Sequence, residues 1–170
     1  MGVTIHFEGR LRNSDAYQAV VKTAKQFADE RGWEYEPIEE RVTTLKRVRN
    51  EEDWDYEGLV KGVVLQPHQN SEPFRLEFDT DLYVQEYTKT QFAPLETHIT
   101  VVELLKKIEP YFEKLEVIDE GEYFETKDQD TLKKHLDRCF EVLDEYLEQG
   151  DKYEGPIRLP SKRIVDVMEK

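Results

Sequence analysis

The chain has one cysteine, three serines and no long apolar run, and each shortage removes a class of chemistry. A lone Cys139 rules out an intramolecular disulfide and a thiolate metal cluster. Ser14, Ser71 and Ser161 stand at one helix-start signal and two turn signals, with no Gly-x-Ser-x-Gly elbow around any of them. The eight glycines are scattered singly, so no phosphate-cradling loop is present. No apolar stretch approaches the roughly 20 residues of a membrane-spanning helix. Basic residues are the minority: 24 Lys plus Arg against 38 Asp plus Glu leave a net charge of −14. That balance argues against nucleic acid, whose phosphates call for Lys and Arg, and against an anionic membrane surface. The start, Met1 to His6, enters an alternating pattern without a charged-then-apolar leader, so a reducing cytoplasm is the expected location.

What is present suffices for one ordinary domain. Two Trp, nine Tyr and eight Phe in 170 residues bury large areas each, which offsets a hydrophobic share of only 38%. Val3 to Arg10 alternates strictly, with Val3, Ile5 and Phe7 on one face, and reads as a strand. Tyr17, Val20, Val21, Ala24, Phe27 and Ala28 form one helical stripe, bracketed by Asn13 or Ser14 as cap and by Gly32. From Trp33 to Gln91 the chain reads as strands. Trp33 to Pro37 is one, with Pro37 placing it at an edge, and Val42 to Arg49 is another. Leu59 to Gln66 is central, Phe74 to Asp79 alternates, and Leu82 to Gln91 continues after a turn. A helix from about Thr97 follows, broken near Pro110, then a strand over Leu115 to Phe124 and a helix from about Gln129 to Gln149. These signals predict an α+β fold of two layers, an antiparallel meander-type sheet with about three helices packed on one face. Residues 1–150 form the domain; residues 151–170 read as a C-terminal arm or short hairpin.

Three constellations resemble reactive sites and fall short of them. The acids of Asp53 to Glu57 alternate as in a calcium loop, but the twelfth position is Val64 instead of Glu. Asp79-Thr80-Asp81 has the spacing of an aspartyl-phosphate motif without the α/β units that chemistry requires, so both Asp residues read as turn formers. His135 and Cys139 share a helix face, but two ligands do not make a zinc site. No metal and no cofactor is expected.

The face of the sheet turned away from the helices is the candidate site. If Val3, Ile5, Phe7, Phe74, Leu76, Phe78, Leu82 and Val84 face the core, then His6, Glu8, Arg75, Glu77, Tyr83, Gln85, Tyr87 and Lys89 face outward. Tyr and Arg on a polar surface are the stuff of binding hot spots, whereas a solvated sheet face carries ordinary cross-strand pairs. The expected function is a small acidic protein-binding or regulatory module engaging a basic partner, with acidity speeding encounter. The alternative is a small-ligand protein or enzyme with a pocket between sheet and helices, using Glu8, Glu77, Tyr83 and His98. The absence of recognisable catalytic signatures tips the expectation toward binding.

Overall fold

A computed structural model describes residues 2–170. Its order is β1 (Thr4–Leu11), α1 (Ser14–Arg31), β2 (Glu34–Leu45), β3 (Val48–Arg49), β4 (Glu52–Asp53), β5 (Tyr56–Gln66), β6 (Phe74–Phe78), β7 (Tyr83–Lys89), α2 (Leu95–Ile108), β8 (Phe112–Asp119), α3 (Tyr123–Thr126) and α4 (Gln129–Leu147). Four two-residue strands close the chain: β9 (Tyr153–Glu154), β10 (Ile157–Arg158), β11 (Ile164–Val165) and β12 (Met168–Glu169). The fold is α+β with antiparallel sheets, as the alternation and the helical stripes predict.

Local chemistry explains the clearest elements. The Asn13 side chain accepts the Ala16 N–H at 2.8 Å and starts α1, and Gly32 at φ 69° ends it by donating to Ala28 and Asp29 carbonyls. Replacing such a cap with Ala costs about 1 kcal/mol. Strand β2 runs unbroken where the sequence suggested two pieces. Its pairing with β5 shifts between Ile38 and Arg41, and that irregularity absorbs the break in alternation. Pro37 is tolerated because β2 lies at a sheet edge, where a missing N–H leaves no ladder bond unmade.

Two three-stranded sheets, ordered β2-β5-β6 and β7-β1-β8, meet where β6 and β7 adjoin. That seam is bonded at its ends only. Asp79 N–H donates to the Tyr83 carbonyl at 3.1 Å, and Glu72 N–H donates to the Lys89 carbonyl at 2.9 Å. Helices α1 and α2 cover one face, burying Ile5, Phe7, Phe27, Phe74, Leu76, Phe78 and Leu104 almost completely. Each such side chain contributes about 1.5–3 kcal/mol of burial. Phe7 stacks on Phe74 across the seam at 5.0 Å, so the core is continuous even where the backbone ladder is not. Helix α4 closes a smaller core, with Leu132 and Leu136 over Val3 and against Leu95 and Ile99.

Residues 153–169 fold back on the domain as nested pairings, β9 with β12 and β10 with β11. Side chains fasten them there. Arg158 donates to the Gln69 and Ser71 carbonyls, Lys89 pairs with Asp166 at 2.6 Å, and Arg163 pairs with Glu72 at 3.3 Å and Glu86 at 2.7 Å. Among the described residues, no helix is long and apolar enough to cross a membrane.

Candidate functional site: a groove on the open sheet face

Period-two alternation puts the outward residues of β7, β1 and β8 in transverse rows. Tyr87, His6 and Ile118 occupy one row and Gln85, Glu8 and Glu116 the next. Arg75 and Glu77 extend this floor onto β6. One wall is the protrusion formed by the end of β2 and the β3–β4 turn; the other carries Ser161 and Arg163 from the arm. The resulting open groove has a volume of about 1180 Å³. Its upper row is accessible and carries apolar surface on both sides of His6: Ile118 is 68% exposed and Tyr87 42%.

Buried polar contacts hold each wall. At the protrusion, Arg47 pairs with Asp79 at 2.6 Å, with both side chains almost fully buried, and donates to the Tyr83 carbonyl at 3.1 Å. Its guanidinium lies 5.1–5.8 Å from the ring centres of Tyr83, Tyr56 and Trp54, an arrangement in which ring quadrupoles attract the cation. Asp79 also accepts the N–H groups of Asp81 and Tyr83, so it shapes the turn as its motif suggested and anchors a distant arginine besides. The Gln85 amide bonds the Val48 N–H and carbonyl at 2.8 Å each, and its nitrogen also donates to Glu8. Gln85 is therefore a fastener of the wall.

At the other wall, Arg163 enters the open middle of the seam. Its guanidinium donates to the Tyr87 carbonyl at 2.6 Å and lies 3.8 Å from the Tyr87 ring centre. Burial pushes the Glu86 carboxyl above its ordinary range; the Arg163 charge opposes this and the nearby Glu77 charge adds to it.

Six of the eight sequence-nominated residues line the groove: His6, Glu8, Arg75, Glu77, Gln85 and Tyr87. Tyr83 and Lys89 stand beside it. The Tyr83 hydroxyl donates to Glu8, and burial followed by that bond pushes its pKa up to about 12. Lys89 is committed to the arm through Asp166 and the Ile164 carbonyl. Sequence reasoning missed Arg47 and Arg163. Nothing in their immediate neighbourhood marks them, because the partners are 32 and 76 or more positions away.

His98 does not join Glu8, Glu77 or Tyr83. It lies sealed on the helix side, with Nδ1 2.6 Å from the Thr90 hydroxyl and Nε2 2.9 Å from Asp119. Asp119 also accepts the N–H groups of Gly121, Tyr123 and Phe124. Burial raises the Asp119 carboxyl, but its bond to His98, the His98 charge and these backbone donors outweigh that and hold it below its usual range. The same bonds turn the chain after Asp119 into α3, where the sequence suggested a continuing strand. His135 bonds Glu122 at 2.9 Å, and Cys139 packs against the smaller core with its thiol pKa raised, first by burial. Among the described residues no three His, Cys, Asp or Glu side chains converge in the way a metal ion requires.

The ionisable lining of the groove counts six acids, Glu8, Asp53, Asp55, Glu77, Glu86 and Glu116, against Lys46, Arg47, Arg75 and Arg163, with His6 beside them. Its bias is negative, like that of the whole chain. Compared with known families, curated proteins and solved structures, the chain shows no significant match. The groove itself is therefore the basis for a functional reading.

Proposed function

We propose that the protein is a binding module whose open sheet face receives an extended segment of a basic partner protein. The observation carrying this reading is the shape of the groove: a row in which Tyr87 and Ile118 flank His6, beside an acidic row, between two fastened walls. An extended peptide turns every second side chain to the same face, the same spacing as that between the rows of the floor. Tyr87 supplies rigid amphipathic area whose ring is already immobilised against Arg163 and His6, so little side-chain entropy remains to be lost on docking. The net charge of −14 steers a basic partner toward the face.

The test is selection of displayed random peptides on the immobilised protein. The expected result is a consensus with an apolar residue and a Lys or Arg two positions apart, with affinity lost at least tenfold in Tyr87→Ala and Ile118→Ser. No consensus, or one bound equally by both folded variants, overturns the reading.

A further inference from the structure

Among the charged residues on the groove floor, Glu77 stands apart. It is only 7% exposed, yet among the described residues its carboxylate has no hydrogen bond and no ion pair. Arg75, two residues earlier on the same strand face, is likewise without an ion pair among the described residues, but it is half-buried and keeps contact with solvent. Buried carboxylates elsewhere each have a cationic partner: Asp79 has Arg47, Glu72 has Arg163 and backbone N–H groups, Asp119 has His98, and Asp166 has Lys89 on Oδ1 while its Oδ2 is buried without a bond. Neither Glu77 oxygen is sealed from solvent, so the carboxylate of this largely buried side chain opens to the groove without a partner from the protein.

The surroundings of Glu77 leave room for an incoming group. The room is that of the open groove, which Glu77 lines; its partner on β5, Gly62, adds no side chain there because the strands approach so closely that a Cβ would lie 1.7 Å from the Leu76 carbonyl oxygen. Across the seam stands Glu86, already paired with Arg163, so it cannot neutralise Glu77 and instead adds a like charge. The position thus combines low solvent exposure, negative potential and space.

We infer that Glu77 is the seat for one cationic side chain, an Arg or Lys of the docked segment, which completes an ion pair that the free protein leaves open. This rests on the groove being the docking face. It assigns the specificity of that face to a single position, with Tyr87 and Ile118 serving the apolar neighbours of the bound cation. Charge-assisted bonds to a carboxylate on a largely buried side chain are stronger than those at a fully exposed surface, so one cation seated at Glu77 discriminates more than several at the rim.

The experiment uses two blocked pentapeptides, Leu-Gly-Arg-Gly-Leu, which puts Leu and Arg on one face of an extended segment, and its twin with neutral citrulline in place of Arg, titrated into the full chain and followed by amide NMR. The Arg peptide is expected to shift the amides of Gly62, Glu77 and Glu86 and to bind at least tenfold more tightly than the citrulline peptide. Glu77→Gln is expected to abolish that preference without lowering the melting temperature, because it removes an unpaired buried charge. Equal binding of the two peptides with shifts at Tyr87 and Ile118 overturns the cation seat and leaves the docking groove standing. An absence of shifts throughout the groove overturns both. A preference retained in Glu77→Gln, or a lowered melting temperature in that variant, overturns the seat by showing that the cation binds elsewhere or that Glu77 is a structural group.

Discussion

Asp79 and Glu77 stand two residues apart at the end of β6, are buried to nearly the same degree, and have opposite surroundings. Asp79 is saturated by Arg47 and two backbone N–H groups; Glu77 has none of these. The first carboxylate is tied into the scaffold; the second makes no bond inside the protein and, on the proposed reading, serves the surface the scaffold displays. Burial alone does not tell the two apart.

Breaking the satisfied side gives the largest expected effect. Arg47→Ala leaves Asp79 buried and unpaired and removes the fastening of the protrusion, so urea unfolding is expected to show a loss of about 4 kcal/mol. On the sealed helix side, Asp119→Asn replaces an oxygen that accepts backbone N–H groups with an amide that cannot. A loss of about 3 kcal/mol follows, and the pH dependence identifies the cause. The Asp119 pKa is lowered in the folded protein, so its contribution is complete above the unfolded value of about 3.9 and disappears as pH falls through the folded value. The acid limb of the stability profile is therefore expected to be shallower in the variant than in the native chain.

Arg163→Ala sits between the two extremes, since its side chain is one-fifth exposed while Glu72 is almost fully buried. About 2 kcal/mol is expected, together with faster amide exchange over residues 153–169. The smallest and oppositely signed effect belongs to Glu77→Gln, a gain of no more than about 1 kcal/mol at neutral pH. Carboxyl-carbon NMR titration sharpens it. Glu86 is held above its ordinary pKa, so its ionisation costs stability as pH rises from about 4.3 through the folded value. Removing the Glu77 charge is expected to bring the Glu86 midpoint down. An unchanged midpoint would separate the two carboxylates and weaken the contrast between Asp79 and Glu77.

Much of the scaffold is legible in the amino-acid order because its causes are local. Asn13 and Gly32 bracket α1, and the alternation through Val3, Ile5 and Phe7 or Phe74, Leu76 and Phe78 identifies the core face. That same alternation delivers the groove floor, since whatever is not in the core on these strands lies opposite it. The walls are a different matter. Arg47, Arg163 and the Gln85–Val48 bonds act across long sequence separations, and a lone Arg in a polar stretch looks the same whether it is solvated or buried. The course after Asp119 escapes for a similar reason. His98, 21 positions earlier, orients the carboxylate whose acceptor bonds fold the chain into α3. Periodicity reports a face; it carries no record of which distant charge comes to rest on it.

Arg163 lies 91 positions after Glu72 and 77 after Glu86. On a ribosome, the seam between the two sheets is laid down long before the cation that fills it. Until that residue emerges, Glu72 and Glu86 lack the cation that pairs with them in the folded protein. The same guanidinium immobilises the Tyr87 ring and forms one side of the groove. On the proposed reading, recognition is thereby tied to completion of the chain, because the groove lacks this side until Arg163 is in place.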